Sequence, residues 1–356
     1  MRADQKEPEA EPKSLLRVGS SAPYHALQDA LAKNSFARDA DSIWPVARLK
    51  GGRTRGTAQL MPAVLDQVNF LTPEQRDSLL QAMWEQRKDI CDLDADALDA
   101  LSALWIQKSN GPDAGAVAEI DELLLLRGLR RHRGGHGRRG GFTNKQRTTI
   151  LGALSRIHNL WLTIESTVFQ GAGSRAKCKH EVVQSRPFVI TDTLGQLRFD
   201  GYVEVHKFIF RPGSVFAAFL WGPTRLVALL SAKALHYHPH RQSWEKRLSR
   251  YLSWQWRIRA RSTGYEQPYA VRTLLEAVGE RFRGRNAKRL KARFERALNT
   301  LKHDEVIAAW RYGQDFLPSE PGWAKRWLDS SIVVEPPGVI RSSYDSLRRG
   351  ISEPHA

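Results

Sequence analysis

The fold of this chain is decided by residues 286–302, which read Asn-Ala-Lys-Arg-Leu-Lys-Ala-Arg-Phe-Glu-Arg-Ala-Leu-Asn-Thr-Leu-Lys. The apolar residues of this stretch recur every three or four positions, which is the spacing of one face of an α-helix. They are Leu290, Phe294, Ala297 and Leu301. The spacing predicts a helix over Asn286–Lys302 that buries this face in a domain core.

The opposite face of this predicted helix is strongly basic. Eight Lys or Arg residues and one carboxylate, Glu295, lie between Arg281 and Arg296. At about 100° per residue, the outward side chains are Arg285, Lys288, Arg289 and Arg296. Arg293 joins them as a candidate contact. A solvated face usually mixes both signs of charge, so this nearly uniform face predicts contact with a polyanion.

Four predicted elements occur in the same order twice along the chain. The second copy has a helix at Trp244–Ser262, a short helix at Tyr269–Val278 ending at Gly279, the basic helix and a β run at Val306–Tyr312. The first copy begins with an apolar helix that contains Leu98, Leu101, Leu104 and Trp105. A short helix at Glu119–Arg127, which ends at Gly128, follows it. A helix at Asn144–Asn159 and a β run at Leu160–Ile164 complete this copy. This order is what a helix-turn-helix with a β-wing requires.

The two copies also align residue by residue. At a shift of 151 residues, Leu123, Leu124 and Gly128 match Leu274, Leu275 and Gly279. In the third helices the shift is 140 residues. It matches the apolar residues Ile150, Leu154, Ile157 and Trp161 to Leu290, Phe294, Ala297 and Leu301. It also matches Lys145 and Arg156 to Arg285 and Arg296, and Thr148 and Thr149 to Lys288 and Arg289. We therefore predict an α+β fold, mainly α with β-wings, that contains two tandem winged-helix domains.

The predicted domain boundaries follow from this repeat. They are a disordered tail at 1–20, an N-terminal helical extension at 21–89, a first winged-helix domain with an enlarged β-wing at 90–222, a second winged-helix domain at 223–335 and a C-terminal tail at 336–356 with a short helix at Ile340–Arg349. In the extension, Thr72 and Pro73 open a helix as N-cap and first helical residue. The Ile332–Glu335 run is expected to close the second wing.

A long β segment separates the two copies. Strand-type composition covers Phe188–Thr191, Gln196–Val205 and Lys207–Phe210, with turns predicted at Thr193–Gly195 and Asp200–Gly201. The segment is interpreted as the enlarged wing of the first domain or as a dimerisation sheet.

The loop Arg130–Gly141 before the first basic helix is rich in arginine and glycine. It contains a formal Gly-x-Gly-x-x-Gly, but a helix precedes it where a dinucleotide site needs a strand. An arginine arm that touches phosphates or enters a minor groove fits the composition better, and a disordered surface loop is the alternative. The candidate contacts in and after this loop are Arg130, Arg131, Arg138, Arg139 and Arg147.

Charge is distributed unevenly along the chain. The 356 residues carry a formal net charge of +17. Residues 1–120 hold 14 basic and 18 acidic side chains, whereas residues 121–356 hold 41 and 20. The basic part collects at the two third helices, which favours nucleic acid as the partner.

Several classes of protein are not expected. The polar start Met1–Ser14 lacks the apolar core of a secretory signal, and the apolar run Val215–Gly222 is too short to span a bilayer. Cys91 and Cys178 lie 87 residues apart, which excludes a cysteine-based zinc module. The expected location is the cytoplasm, in association with the nucleoid or a plasmid.

The segment His236–Arg241 raises an enzymatic alternative. It contains the His-hydrophobe-His pair that nickases use for metal, and His238 and Arg241 match a spacing seen in tyrosine recombinases. However, the pair lies between predicted helices, and Tyr344, the obvious nucleophile, is about 100 residues away. We expect a structural turn here, with no catalytic residue, metal or cofactor. The aromatic residues of the Trp244–Ser262 helix are expected to pack in the core rather than stack on bases.

At this point the chain resembles plasmid replication initiators, which bind origin repeats through two winged-helix domains. The resemblance rests on the tandem layout from about residue 90 to 335 and on the runs Gly140–Arg147 and Tyr251–Arg257, which are similar to runs in helix-turn-helix proteins of bacterial mobile elements. It implies a non-enzymatic protein that binds double-stranded DNA at origin repeats and recruits host replication proteins. It also implies homodimers that compete with the DNA-binding monomer. A winged-helix transcription regulator and a metal-dependent nicking or recombining enzyme that uses His236, His238 and a tyrosine remain the alternatives.

Overall fold

The structure is a computed structural model that describes residues 15–51, 54–63, 72–132, 141–170, 177–197, 203–222, 225–260, 264–282, 286–313 and 321–352. Within these ranges the chain combines helices with four antiparallel sheets, so the predicted α+β class is confirmed. In the described part of the chain, every helix is either too short or too polar to cross a membrane.

The N-terminal segment mixes helices and strands. Its elements are β1 (Leu15–Gly19), α1 (Ala22–Ala32), β2 (Ala37–Asp39), β3 (Ser42–Gly51), β4 (Thr54–Leu60) and α2 (Pro73–Lys88). The prediction of a disordered tail up to residue 20 is wrong for 15–20, because β1 pairs with a strand more than 200 residues away. The helical extension is also wrong, because three of its elements are strands of one sheet. The predicted start of α2 is correct: Thr72 and Gln75 form a reciprocal capping box.

The first repeated unit follows. Its helices and first strand are α3 (Asp92–Lys108), β5 (Ala116–Glu119), α4 (Ile120–Leu126) and α5 (Asn144–His158). Four further strands come next, and they are β6 (Leu160–Gln170), β7 (Lys177–Ser185), β8 (Phe188–Leu197) and β9 (Val203–Pro212). β9 pairs with both β5 and β8, which gives a three-stranded sheet in the order β5-β9-β8.

The β segment between the units belongs to two sheets instead of one enlarged wing. β6 pairs with β4, so that β2, β3, β4, β6 and β7 form one five-stranded sheet. The predicted turn at Thr193–Gly195 is wrong because β8 continues through it, with register shifts between Ile190 and Asp192 and between Leu194 and Gly195. The predicted turn at Asp200–Gly201 lies outside the described residues.

A two-stranded sheet joins the two halves of the molecule. After α6 (Ser214–Leu220), the strand β10 (Val227–Ser231) pairs with β1, and α7 (Lys233–His236) follows. Successive residues of β10 face opposite sides, as in any strand: Leu230 is buried in the first core, whereas Leu229 is buried in the second. The predicted boundary at 222/223 is therefore wrong, since β10 serves both cores.

The second repeated unit shares with the first the order helix, strand, helix, helix. Its elements are α8 (Ser243–Arg259), β11 (Tyr269–Ala270), α9 (Val271–Ala277), α10 (Ala287–His303), β12 (Ala309–Tyr312), α11 (Trp323–Leu328), β13 (Ser331–Glu335) and α12 (Gly338–Ser352). The strand order β11-β13-β12 repeats the first–third–second order of the first unit. Ile340 and Tyr344 of α12 are buried in the second core, so the prediction of a separate C-terminal tail from 336 is wrong.

The second helices of the two units, α4 and α9, end in the same way. Gly128 and Gly279 have φ of +72° and +86°, and each is the left-handed residue after its helix. Leu129 N–H donates to Leu124 O at 3.1 Å, and Glu280 N–H donates to Leu275 O at 2.9 Å. These equivalent bonds confirm the predicted helix ends. The match of Trp161 to Leu301 is wrong, because α5 ends at His158 and Trp161 lies in β6.

Candidate nucleic-acid interface

Helix α10 has one buried face and one exposed basic face. Phe294, Ala297 and Leu301 are buried in the second core, as their spacing predicts. The exposed side chains include Lys288, Arg289, Ala292, Arg293 and Arg296.

The basic face of α10 forms one wall of an open cleft of about 740 Å³. The start of α8 and the turn after α9 form the other wall. The cleft contains five arginines, Arg241, Arg281, Arg289, Arg293 and Arg296, and two carboxylates, Glu245 and Glu280. A shallower groove of about 560 Å³ shares Ala292 and Arg296 with it and continues along α10 to His303. The exposed face of α10 is therefore an extended surface with an excess of positive charge.

Nearby groups fix some of these basic side chains and leave others free. The guanidinium of Arg293 lies 4.2 Å from the ring centre of Trp244 and 3.5 Å from Glu280. Glu295 pairs with the half-buried Lys291. Within the described residues, Lys288, Arg289 and Arg296 have no carboxylate within 4 Å. The one carboxylate of the basic run therefore does not neutralise the outward face.

The cleft contains two side chains that are not among the predicted DNA contacts. Trp244 supports Arg293, and Glu245 is half-buried beside Arg293 and Arg296. Burial raises the pKa of Glu245, and the two arginines oppose that rise. The shift of 151 residues from Asp94 to Glu245 is the sequence signal that could have identified this carboxylate.

Helix α5 occupies the place of α10 in the first unit but exposes fewer cations. Lys145, Thr148 and Thr149 are exposed as predicted. Arg156 is buried, and its Nε donates to Oδ1 of Asp94 at 2.6 Å. The prediction that Arg156 faces outward is therefore wrong, because the fully buried Asp94 on α3 draws it into the core.

Other candidates of the first unit are partly engaged in ion pairs. Arg147 lies 2.9 Å from Glu204 and 3.0 Å from Asp121, which ties α5 to β9 and α4. Arg131 is exposed, 4.0 Å from Asp121, and Arg130 is exposed. The remaining candidates lie outside the described residues, and they are Arg138, Arg139 and Arg285.

The chain is similar to domains 2 and 3 of RctB. Two solved structures of these domains, one of them a selenomethionine derivative, align with TM-scores of 0.47 and 0.45, each at 12% sequence identity. The first alignment covers 90% of this chain and 99% of the other, and the second covers 86% and 98%. No family model and no curated protein matches the sequence.

The histidine-rich segment forms a connection between α7 and α8. His236 is half-buried beside Gly128. His238 is exposed, and its Nδ1 accepts hydrogen bonds from the backbone N–H groups of His240 and Arg241 at 3.2 Å. The hydroxyl of the buried Tyr344 accepts from the N–H of Leu229 at 3.0 Å. Across the described ranges, no group of three or more His, Cys, Asp or Glu side chains is placed to hold a metal ion.

The aromatic side chains of α8 pack inside the molecule. Trp244 and Trp256 are buried in the second core. Trp254 stacks on His25 of α1 with ring centres 4.1 Å apart. These contacts agree with the expected role in core and interdomain packing.

Proposed function

We propose that this chain is a sequence-specific double-stranded DNA-binding protein whose two repeated units are winged-helix domains. The observation that carries the proposal is the exposed basic face of α10, where Lys288, Arg289 and Arg296 have no carboxylate partner in the described structure. Cations exposed along a groove attract the phosphates of DNA, and arginine can also bind guanine through two hydrogen bonds.

The topology supports the assignment of winged helices. Each unit has a helix, a strand, a second helix that ends at a left-handed glycine and a third helix, and two later strands complete the sheet of the first strand. A helix with its side chains is about 10–12 Å wide, and the major groove is about 12 Å wide. The third helices α5 and α10 would enter major grooves, and the antiparallel strand pairs β8–β9 and β12–β13 would act as wings on the phosphates.

The more specific proposal is that the protein initiates replication of a plasmid or similar element by binding origin repeats and recruiting host replication proteins. Its support is the sequence resemblance to plasmid initiators. We also propose that it does so without catalysing a covalent reaction on DNA. A transcription regulator would use the same DNA-binding surface, so function in cells has to separate the two.

The first experiment identifies the DNA and tests the surface. A site is selected from random duplexes, and binding is measured by fluorescence anisotropy from 50 to 300 mM KCl. Lys288→Ala with Arg289→Ala should weaken binding at least tenfold and reduce the slope of log K against log[salt] by about 1.8, since each phosphate contact contributes about 0.9. The control, Arg38→Ala with Arg48→Ala on exposed residues of the N-terminal segment, removes the same charge and should leave the slope unchanged.

Two further assays test the specific roles. A plasmid that carries the selected repeats and no other origin should replicate only when the protein is supplied, whereas a regulator would bind the repeats without supporting replication. Incubation of supercoiled plasmid with the protein and Mg²⁺ or Mn²⁺ should leave it intact. Nicking that disappears in His238→Ala would overturn the non-enzymatic proposal.

A further inference from the structure

Equivalent helices of the two units meet through a buried cluster of charges. Asp92, Asp96 and Asp99 lie four and then three residues apart on one face of α3, and all three are almost fully buried. They meet three basic side chains of α8, which are Lys246, Arg247 and Arg250. We call these six residues the junction cluster. Its three acidic and three basic groups balance one another.

Every member of the junction cluster has a partner in the other unit. Nζ of Lys246 is 2.8 Å from Oδ2 of Asp96 and donates to the carbonyl of Ala234 at 2.8 Å. Arg250 reaches all three aspartates, with Nε 2.8 Å from Oδ2 of Asp99. Arg247 Nη2 lies 2.9 Å from Asp92. Buried charges with several directional partners allow few alternative arrangements.

The N-terminal segment reinforces the same junction. The hydroxyl of Tyr24 on α1 donates to Asp99 at 3.0 Å, and Gln28 also donates to Asp99. The N–H of Gly19 in β1 donates to Ser102 of α3 at 2.8 Å. Because β1 also pairs with β10, which serves both cores, the N-terminal segment connects the two units on a second side.

Specific side-chain contacts connect α3 and α8, which carry the junction cluster, to the third helices α5 and α10. On one side, Arg156 of α5 is paired with Asp94, which lies between Asp92 and Asp96 on α3. On the other side, Arg293 of α10 lies over Trp244, two residues before Lys246 on α8. The path α5–α3–α8–α10 therefore runs through paired or packed side chains at every step.

We infer that the junction cluster fixes the spacing between α5 and α10, so that the two units read a composite DNA site whose two segments must lie at one fixed separation. This inference rests on the proposed function. The junction residues determine specificity by positioning the helices and do not touch DNA. The partner is a duplex in which both segments have the correct helical phase.

The first test varies the separation of the two segments in the selected duplex. Insertion of 5 bp rotates one segment by about half a turn, since B-DNA has about 10.5 bp per turn. The wild-type protein should lose at least 100-fold in affinity and bind the altered duplex no better than one segment alone. The variant Asp96→Leu with Lys246→Met removes two opposite charges together, and it should lose less than tenfold on the same insertion. Equal losses in both proteins would overturn the inference.

The second test measures the spacing without DNA. Spin labels are placed on exposed positions of the two helices through Ser155→Cys and Ala292→Cys, in a background with Cys91→Ser and Cys178→Ser. Double electron–electron resonance should give one narrow distance distribution for this doubly labelled parent protein. The distribution should become broad when Asp96→Leu and Lys246→Met are introduced into the same background. A broad distribution in the parent would overturn the inference. This result is independent of DNA, so the absence of any specific duplex would refute the proposed function alone.

A milder variant guards against loss of folding. Arg247→Gln changes the one junction side chain that is about one-fifth exposed, and it leaves Lys246 and Arg250 in place. Circular dichroism should show that it is folded at 25 °C. It should broaden the distance distribution and reduce the penalty of the 5 bp insertion by at least threefold. A folded Arg247→Gln protein that is wild-type in both readouts would contradict a spacing role for that residue.

Discussion

Helices α5 and α10 hold equivalent places in the two units but use an equivalent arginine in opposite ways. Arg156 and Arg296 match at the shift of 140 residues, and the carboxylates near them, Asp94 and Glu245, match at the shift of 151. In the first unit the arginine is buried and paired at 2.6 Å. In the second unit Arg296 is exposed in the cleft, and Glu245 is half-buried. The number of basic residues in a helix therefore does not give the charge that the helix presents.

The surroundings of each helix end account for this difference. α5 ends at His158 and leads directly into β6, which belongs to the five-stranded sheet built with the N-terminal segment. At the end of α5, the N–H of Met61 donates to the carbonyl of Asn159 at 2.8 Å, and Nδ2 of Asn159 donates to Oε1 of Gln86 at 3.2 Å. α10 continues to His303 and is followed by a three-stranded sheet. Its last turns stay open along the groove that contains Arg296.

The largest expected contrast comes from the matched substitutions Arg156→Met and Arg296→Met. Removal of Arg156 leaves Asp94 buried without its partner, so the free energy of unfolding should fall by about 3–5 kcal/mol. Arg296→Met should change it by less than about 0.5 kcal/mol, since the side chain is exposed. Urea unfolding at pH 7.5 measures both values. Equal losses would contradict the different roles of the two arginines.

The pH dependence of the free energy of unfolding tests the buried pair through the protonation of its acidic member, Asp94. Burial raises the pKa of Asp94 from 3.8 to about 6, and Arg156 only partly offsets this rise. The folded protein then binds this proton more tightly than the unfolded chain. Proton binding at Asp94 therefore contributes about 3 kcal/mol to the free energy of unfolding below about pH 4. This contribution is lost as the pH rises through 6.

Asp94→Asn should remove this contribution. Urea unfolding at pH 4, 5, 6 and 7 should show that the free energy of unfolding of Asp94→Asn rises relative to that of the wild type as the pH increases. Glu245→Gln is the matched variant in the second unit, and because burial also raises the pKa of Glu245, its difference from the wild type should change in the same direction. A difference between wild type and Asp94→Asn that is constant with pH would show that Asp94 keeps an ordinary pKa.

DNA binding should show the reverse contrast between the two helices. Arg289→Ala with Arg296→Ala removes two exposed cations of α10, and affinity at 100 mM KCl should fall at least 30-fold. Lys145→Ala with Thr149→Ala on α5 removes one cation, and affinity should fall by no more than about threefold. The salt slopes should decrease by about 1.8 and 0.9, respectively. Equal effects in anisotropy measurements would mean that both helices contribute equally.

The elements of both units could be predicted because their signals are local. Apolar spacing, the cap at Thr72 and the terminal glycines fix helices within a few residues of their observed bounds. The errors come from pairings over long distances. Leu15–Gly19 is too short to be identified as a strand without its partner in β10, and the burial of Arg156 depends on Asp94, 62 residues earlier. Likewise, no local pattern shows that Asp96 and Lys246 form a pair across 150 residues.

The smallest contrast concerns the two terminal glycines. A side chain at φ near +72° or +86° costs about 1–2 kcal/mol, so Gly128→Ala and Gly279→Ala should both destabilise the protein. At Gly128 a new Cβ would lie 2.6 Å from Cγ of His236, part of a rigid ring, whereas at Gly279 it would lie 3.0 Å from Nη1 of Arg247. Gly128→Ala should therefore cost more, and thermal unfolding of both variants measures the difference. If Gly279→Ala were the more damaging, the contact of Arg247 with the end of α9 would be the stricter constraint, and the junction would extend to the turn of the second unit.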